Sequence, residues 1–245
     1  MRRGSIVALL GIALVAGAVA TAVALLPTWL PQQASVEAGR IDFVFWFTIA
    51  ICIFLFAIVA AAMIYSIIRF KAAPDDLEDG PSIHGHTGLE IAWTTLPFVL
   101  VTVLAIVCGI VLKENDAQAA TTLKINVTAQ QYAWTFSYPT ANNATSPILY
   151  LPANHPGGVE LYMRSLDVIH AFFVPEFREN EDLVPGMVTQ LHITPNRPGT
   201  YYLECNELCG AGHTVMNARV VVLSETDFEN WIAQQKSGQT AGSTT

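Results

Sequence analysis

Three unbroken apolar runs dominate the first half of the chain, at residues 5–26, 43–68 and 91–112, and none contains a charged side chain. Each has the ~20 residues that a helix needs to cross a bilayer, so each predicts a spanning helix. Between them lie PTWLPQQASVEAGR, a Pro-containing connector at residues 27–40, and KAAPDDLEDGPSIHGHTG, a polar loop at residues 71–88. The second and third runs are expected to fold as a helical hairpin over residues 41–112. Pro97 falls inside the third run, where neighbouring helices can satisfy the carbonyl it frees.

From Glu114 onward the pattern changes to short alternating stretches broken by Pro, Gly and Asn. TLKINVTAQQYAWTFSYP, ILYLP, VELYMRSLDVIHAFFVP, MVTQLHITP, GTYYLEC and NARVVVL are rich in β-branched and aromatic residues, with turns such as Pro156-Gly157-Gly158 and Pro198-Gly199 between them. Such a rhythm predicts an all-β sandwich or barrel. The expected organisation is a linker at residues 113–121, one β domain at 122–235 and a polar tail at 236–245. An amphipathic helix is expected over residues 227–235 inside that domain.

Composition agrees with a membrane anchor joined to a soluble domain, since only 13% of the 245 residues are charged against roughly 25% in an ordinary soluble protein. Arg2 and Arg3 hold the N-terminus on the cytoplasmic side. The first run, residues 1–26 with its leader, reads either as a secretory signal cleaved near Ala18-Val19-Ala20 or as an uncleaved anchor. Three crossings, or two after cleavage, both leave the β domain on the outer face. Cys52 and Cys108 lie within apolar helices, where a thiol behaves as a small hydrophobe.

The other two cysteines stand in Cys205-x3-Cys209-x3-His213-x2-Met216. A disulfide would suit an exported domain but accounts for neither His213 nor Met216. Zinc favours Cys and His yet has little use for a thioether, and a redox dithiol normally reads C-x-x-C beside a βαβ pattern. Two thiolates, an imidazole and a weak thioether on a loop between strands are the ingredients of a cupredoxin-like copper site, the second thiolate being enough to bridge two ions. Such a site needs one more imidazole. His84 and His86 fall in the cytoplasmic loop, His155 in a turn and His192 within a strand, and each reads as an ordinary surface or strand histidine. His170, in LDVIHAFFVPEF, stands among large apolar residues, and the pattern alone does not separate a ligand from a core histidine there.

Residues 167–223 carry Asp167-Val168-Ile169-His170, Val184-Pro185-Gly186, Arg197-Pro198-Gly199-Thr200-Tyr201-Tyr202 and the run from Cys205 to Met216. This set resembles subunit II of the haem-copper cytochrome c oxidases, whose signature joins D-V-x-H, V-P-G, R-P-G-x-Y-Y and C-x-E-x-C-G-x-x-H-x-x-M. A second block, HTGLEIAWTTLP, is similar to the family's H-G-N-T-x-L-E-x-x-W-T-x-x-P at the start of its second helix. The likeness covers about residues 40–235. It implies a transmembrane hairpin followed by a cupredoxin-like domain in a bacterial-type cell membrane, with that domain on the periplasmic face.

Carried over residue by residue, the resemblance implies a dinuclear copper centre of the CuA type. Cys205 and Cys209 bridge both ions, His170 and Met216 complete one, and His213 with the backbone carbonyl of Glu207 completes the other. Phe172, Phe173 and Met187 are expected to shield the centre. The Glu207 side chain is expected to reach a magnesium at the boundary with subunit I, and Glu90 to lie at the mouth of a proton-uptake pathway. The implied function is to receive electrons from a c-type cytochrome and pass them to subunit I, where oxygen is reduced to water with proton translocation. The implied partners are subunit I, subunit III and that cytochrome, with no nucleic acid.

Two departures stand out. Where the family reads G-H-Q-W-Y-W this chain reads Ala129-Gln130-Gln131-Tyr132-Ala133-Trp134, so Tyr132 replaces the tryptophan through which electrons usually arrive. Strand alternation is expected to put Tyr132 and Trp134 on one face as the electron port. No C-x-x-C-H follows Leu223, so the donor is expected to be a separate protein. The rivals are a membrane-anchored copper chaperone, which would open a thioredoxin-like helix with its dithiol, a quinol oxidase subunit, which would lack the ligands, and nitrous oxide reductase, for whose second domain the chain has no room.

Overall fold

The computed structural model describes residues 3–71, 80, 82, 84–116 and 122–238, in two compact units. The first unit holds most of α1 (Arg3–Leu25), α2 (Val36–Arg69) and α3 (Thr87–Asn115). Among the described residues these three helices are long and apolar enough to cross a membrane. A helix keeps its interior backbone N–H and C=O groups paired within itself, which lipid requires. The hydroxyls do the same: Thr21, Thr48 and Thr102 each donate to the carbonyl four residues earlier at 2.7–2.8 Å. Arg69 closes α2, where positive charge complements the C-terminal carbonyls.

Helix α2 starts inside the segment expected to be a connector. Ser35 caps it, its Oγ accepting the Ala38 N–H at 3.0 Å. At 34 residues α2 is about 51 Å long, well beyond the ~30 Å hydrocarbon layer, and its opening turns as far as Asp42 belong to the second unit.

That second unit comprises Leu30–Asp42 together with the chain from Ile110 on. Its strands are β1 (Leu123–Gln130), β2 (Ala133–Tyr138), β3 (Ala144–Ser146), β4 (Leu149–Pro152), β5 (Val159–Ser165), β6 (His170–Phe173), β7 (Asn180–Leu183), β8 (Thr189–Ile193), β9 (Gly199–Cys205) and β10 (Asn217–Leu223). They form two five-stranded sheets, ordered β3-β2-β1-β5-β8 and β4-β10-β9-β6-β7. Neighbours run antiparallel except β1 with β5 and β10 with β4. The alternation read from sequence is what builds the core. Ile125, Val127 and Ala129 of β1 and Ala218, Val220 and Val222 of β10 all point inward, and burying each larger aliphatic contributes about 1.5–3 kcal/mol.

Helix α4 (Glu225–Lys236) is slightly longer than expected, because Ser224 caps it by accepting the Asp227 N–H at 3.1 Å. It buries Phe228 and Ile232 and stacks Trp231 on Tyr150, ring centroids 4.5 Å apart. Most of the tail expected at 236–245 lies outside the described residues, as do parts of the 71–88 loop and the 113–121 linker.

The segment expected to be a connector is woven into the sandwich. Ala34, Ser35 and Glu37 are buried, the Val36 N–H donates to the Thr194 carbonyl at 3.0 Å, and Glu37 Oε2 accepts the Thr194 N–H at 2.9 Å. Arg178, in the β6–β7 loop, grips the same segment. Its Nε and Nη2 donate to Asp42 at 2.8 and 3.2 Å, and Nη2 also donates to the Pro31 carbonyl at 2.6 Å.

Candidate metal centre

Strand β6 begins at His170, β9 ends at Cys205 and β10 begins just after Met216, and pairing brings these ends together. Phe172 lies opposite Cys205, and Asn217 opposite Glu204. The β9–β10 loop leaves Cys205, carries Cys209, His213 and Met216, and returns where the Cys205 N–H donates to the Met216 carbonyl at 3.1 Å. Ladder hydrogen bonds therefore fix both ends of the ligand loop.

Cys205 Sγ lies 3.9 Å from Cys209 Sγ, 3.8 Å from His170 Nδ1 and 3.3 Å from the Glu207 carbonyl oxygen. Cys209 Sγ lies 3.7 Å from His213 Nδ1 and 3.8 Å from Met216 Sδ. Each sulfur thus has one imidazole and one weak donor beside it. Sulfur and nitrogen donors sharing a first-row ion at about 2.0–2.3 Å in a tetrahedron stand roughly 3.3–3.8 Å apart, so this donor set fits a metal with shifts of a few tenths of an ångström at most. The soft thiolate and thioether donors select copper. His170, Cys205, Cys209 and Met216 are buried, whereas His213 is half-buried and Glu207 exposed.

Electrostatics around the donors are informative. Burial, with the adjoining Cys205, pushes the Cys209 thiol up to about 11. A metal binding there must displace that proton, so binding releases it and competes with acid. Burial also works against the charge of Asp167. Hydrogen bonds from the Gln131 N–H, the His170 imidazole and the Val168 N–H outweigh it and bring the carboxyl down to about 2. Asp167 Oδ1 accepts from His170 Nε2 at 2.8 Å. An anionic acceptor at Nε2 holds the proton there and leaves the Nδ1 lone pair facing Cys205.

The other expected site residues are placed differently. Tyr132 and Trp134 do not share a face, because the chain turns at Gln131-Tyr132 and the alternation count restarts at Ala133. Trp134 is in the core, edge-on to His170 and Phe172 with centroids 6.3 Å away in both cases. Tyr132 is 40% exposed and lies over the ligand loop, where a Cβ on Gly212 would meet its ring at 2.5 Å and one on Gly210 its hydroxyl at 2.7 Å. Phe172 is fully buried, Phe173 is half-buried and Met187 is exposed. Glu90 sits in the first turn of α3, its Oε1 accepting the His86 N–H at 3.1 Å, so it complements that helix N-terminus. His155 and His192 face carboxylates instead of the sulfurs, Glu225 at 2.6 Å and Glu160 at 3.4 Å.

Sequence reasoning missed the supporting roles of Asp167 and Gln131. Asp167 had a signal, its place three residues before His170. Gln131 had only its position in the β1–β2 turn.

Residues 22–108 match the family described as cytochrome c oxidase subunit II, transmembrane domain, and residues 144–224 match that subunit's periplasmic domain. Cytochrome c oxidase subunit 2 of Synechocystis sp. is 30% identical over 252 aligned residues, covering 83% of this chain and 75% of that protein. The alternative cytochrome c oxidase subunit 2 of Bradyrhizobium diazoefficiens is 51% identical over 89 residues, 36% of this chain and 31% of that protein. The crystal structure of the periplasmic domain of subunit II of cytochrome oxidase from Bradyrhizobium japonicum aligns at a TM-score of 0.45 and 24% identity, covering 51% of this chain and 100% of that one. With both of its domains matched and a relative aligned over most of its length, the chain belongs to the cytochrome c oxidase subunit II family and is a membrane-bound oxidoreductase subunit with a periplasmic domain.

Proposed function

We propose that this chain is the subunit through which electrons enter a terminal cytochrome c oxidase, taking them from a c-type cytochrome at a dinuclear copper centre and passing them to the haem-copper core of subunit I. The observation that carries the reading is the buried meeting of His170, Cys205 and Cys209, whose donor atoms lie within 4.8 Å of one another. Cys205 and Cys209 would bridge two ions, His170 with Met216 completing one, and His213 with the Glu207 carbonyl the other. Copper bound there supplies a one-electron carrier with its charge spread over two metals. The chain supplies the rest. Strand ends hold the donors so that little moves on electron transfer, Asp167 orients the His170 ring, and Phe172 with the buried ligands keeps water away.

The remaining assignments are part of the same proposal. Subunits I and III are the membrane partners, and the exposed Glu207 carboxylate would supply an oxygen ligand to a magnesium beside subunit I. Glu90 stands at the mouth of a proton-uptake path on the cytoplasmic side, and Tyr132 rather than the buried Trp134 meets the donor. Exposed Leu208, Val215 and Tyr202 on or beside the ligand loop give the cytochrome an apolar seat. With Arg2 and Arg3 inside, three crossings or two after cleavage both support the periplasmic placement.

The test is copper loading of the full chain in detergent. Two coppers per chain and a delocalised mixed-valence EPR signal are expected. One copper per chain, or a purely mononuclear cupric signal from folded protein, would overturn the reading. Cys209→Ser should leave at most a mononuclear site, and Cys52→Ser should leave the spectrum unaltered.

A further inference from the structure

The parallel pairing of β1 with β5 sets Ala129 opposite Ser165, so the β1–β2 turn stands beside the β5–β6 loop that leads to His170. Gln131 occupies that turn and bonds in two directions. Its backbone N–H donates to Asp167 Oδ2 at 2.7 Å, and the other oxygen of the same carboxylate accepts from His170 Nε2 at 2.8 Å. Its side-chain Nε2 donates to the Cys209 carbonyl at 2.6 Å.

We propose that Gln131 is the positioning residue of the copper site, locking the His170 segment to the Cys209 segment across a turn that belongs to neither. This rests on the copper reading above and adds a residue to it. His170 lies 35 residues from Cys205 in the chain, and its β6 meets β9 through the pairs Phe172 with Cys205 and Phe173 with Glu204 and the Asn206 N–H donating to the Ala171 carbonyl at 3.1 Å, all at the Cys205 end of the ligand loop. A centre built on both segments also needs a tie at Cys209, because a Cys209 sulfur that drifted relative to the imidazole would alter the ligand field of any copper held there. Gln131 provides that tie by fixing the carbonyl of one bridging cysteine and the carboxylate that aims the imidazole.

The chemistry is directional. The Cys209 carbonyl only accepts, so the residue at 131 has to donate. Gln131→Glu keeps the shape and puts an acceptor against an acceptor, whereas Gln131→Ala deletes the side-chain bond and leaves the backbone bond to Asp167 in place. Gln131 is exposed, so neither change opens the core.

The experiment uses the full chain in detergent, loaded with copper and compared with the wild type by chelator competition, EPR and reduction potential. Melting of the copper-free protein is followed alongside. Outer partners of metal ligands typically contribute about 10–100-fold to metal affinity, so Gln131→Glu should hold copper 10–100-fold more weakly with an altered hyperfine pattern. Gln131→Ala should fall between it and the wild type, and copper-free melting should be unchanged. Wild-type copper retention and spectrum in both variants would overturn the inference while leaving the copper reading intact. So would slower reduction by a c-type cytochrome with an unaltered spectrum, which would make Gln131 a docking residue. A fall in copper-free melting that parallels the copper loss would make its role merely structural. Failure of the wild-type chain to bind copper would remove both readings.

Discussion

Replacing Arg178 with glycine takes a guanidinium with 8% of its side chain exposed away from the Asp42 carboxylate, itself 12% exposed. Asp42 then keeps only the Gln33 amide, which donates to its Oδ2 at 2.6 Å, and the Pro31 carbonyl loses its donor. Stranding one partner of a buried pair costs about 3–5 kcal/mol. Some of this is returned, because Arg178 sits at φ +64°, a left-handed conformation that costs a side-chain-bearing residue about 1–2 kcal/mol and glycine almost nothing. The net loss is about 1–4 kcal/mol. At roughly 2–4 °C per kcal/mol for a unit of this size, melting should fall by about 2–16 °C. Arg178→Ala keeps the strain and should melt lower still. The assay is thermal denaturation of the full chain in detergent, read by the β-sheet circular dichroism signal, for Arg178→Gly, Asp42→Asn and the double variant. Once Arg178 is gone, Asp42→Asn should cost far less than it does alone, since the carboxylate is by then unpaired. Strictly additive losses, or a glycine variant that melts with the wild type, would show that this pair does not tie the N-terminal segment to the sandwich.

Three further outcomes are expected. Burial, with the charges of Glu37 and Asp116, pushes the Glu179 carboxyl from its ordinary 4.5 up to about 7. The folded state therefore holds the extra proton between those values, and stability should fall as pH rises through that window; Glu179→Gln should flatten the slope of melting temperature against pH, and an unchanged slope would refute the assignment. Gly212→Ala sets a methyl 2.5 Å from the Tyr132 ring and should weaken copper retention, with Tyr132→Ala in the same chain restoring it; the packing is wrong if the single change is silent or the second gives no rescue. From Glu114 on the chain has 13 acidic and 6 basic residues, so reduction by a cationic cytochrome c should slow as salt shortens the Debye length from ~30 Å at 0.01 M to ~8 Å at physiological strength, and a flat profile would exclude steering.

What could be read from sequence was whatever repeats along the chain or sits close within it. The strand alternation of Ile125, Val127 and Ala129, the three apolar helices and the spacing from Cys205 to Met216 each express one local geometry, so a window of residues contains the information. The resemblance supplied His170, which no window joins to the cysteines. The errors arose where a turn interrupts a period or where a distant partner decides. Counting alternation from Tyr132 to Trp134 puts them on one face, and the count fails because β1 has already ended there and alternation holds only within a strand.

The segment at 27–40 looked like a connector because a short polar stretch with two prolines has no period of its own. Its burial is dictated by Phe177, Arg178 and Thr194, which lie 142–157 residues away in the chain. Gln131 and Asp167 escaped for the same reason. Each is an ordinary polar residue next to a turn, and its role exists only because β1 and β5 pair in parallel and bring two loops together. Ligands announce themselves through residue types that few other roles require. The groups that aim them are common amides and carboxylates whose meaning is set by the fold, so at this site the sequence names the donors and the strand pairing names what holds them in place.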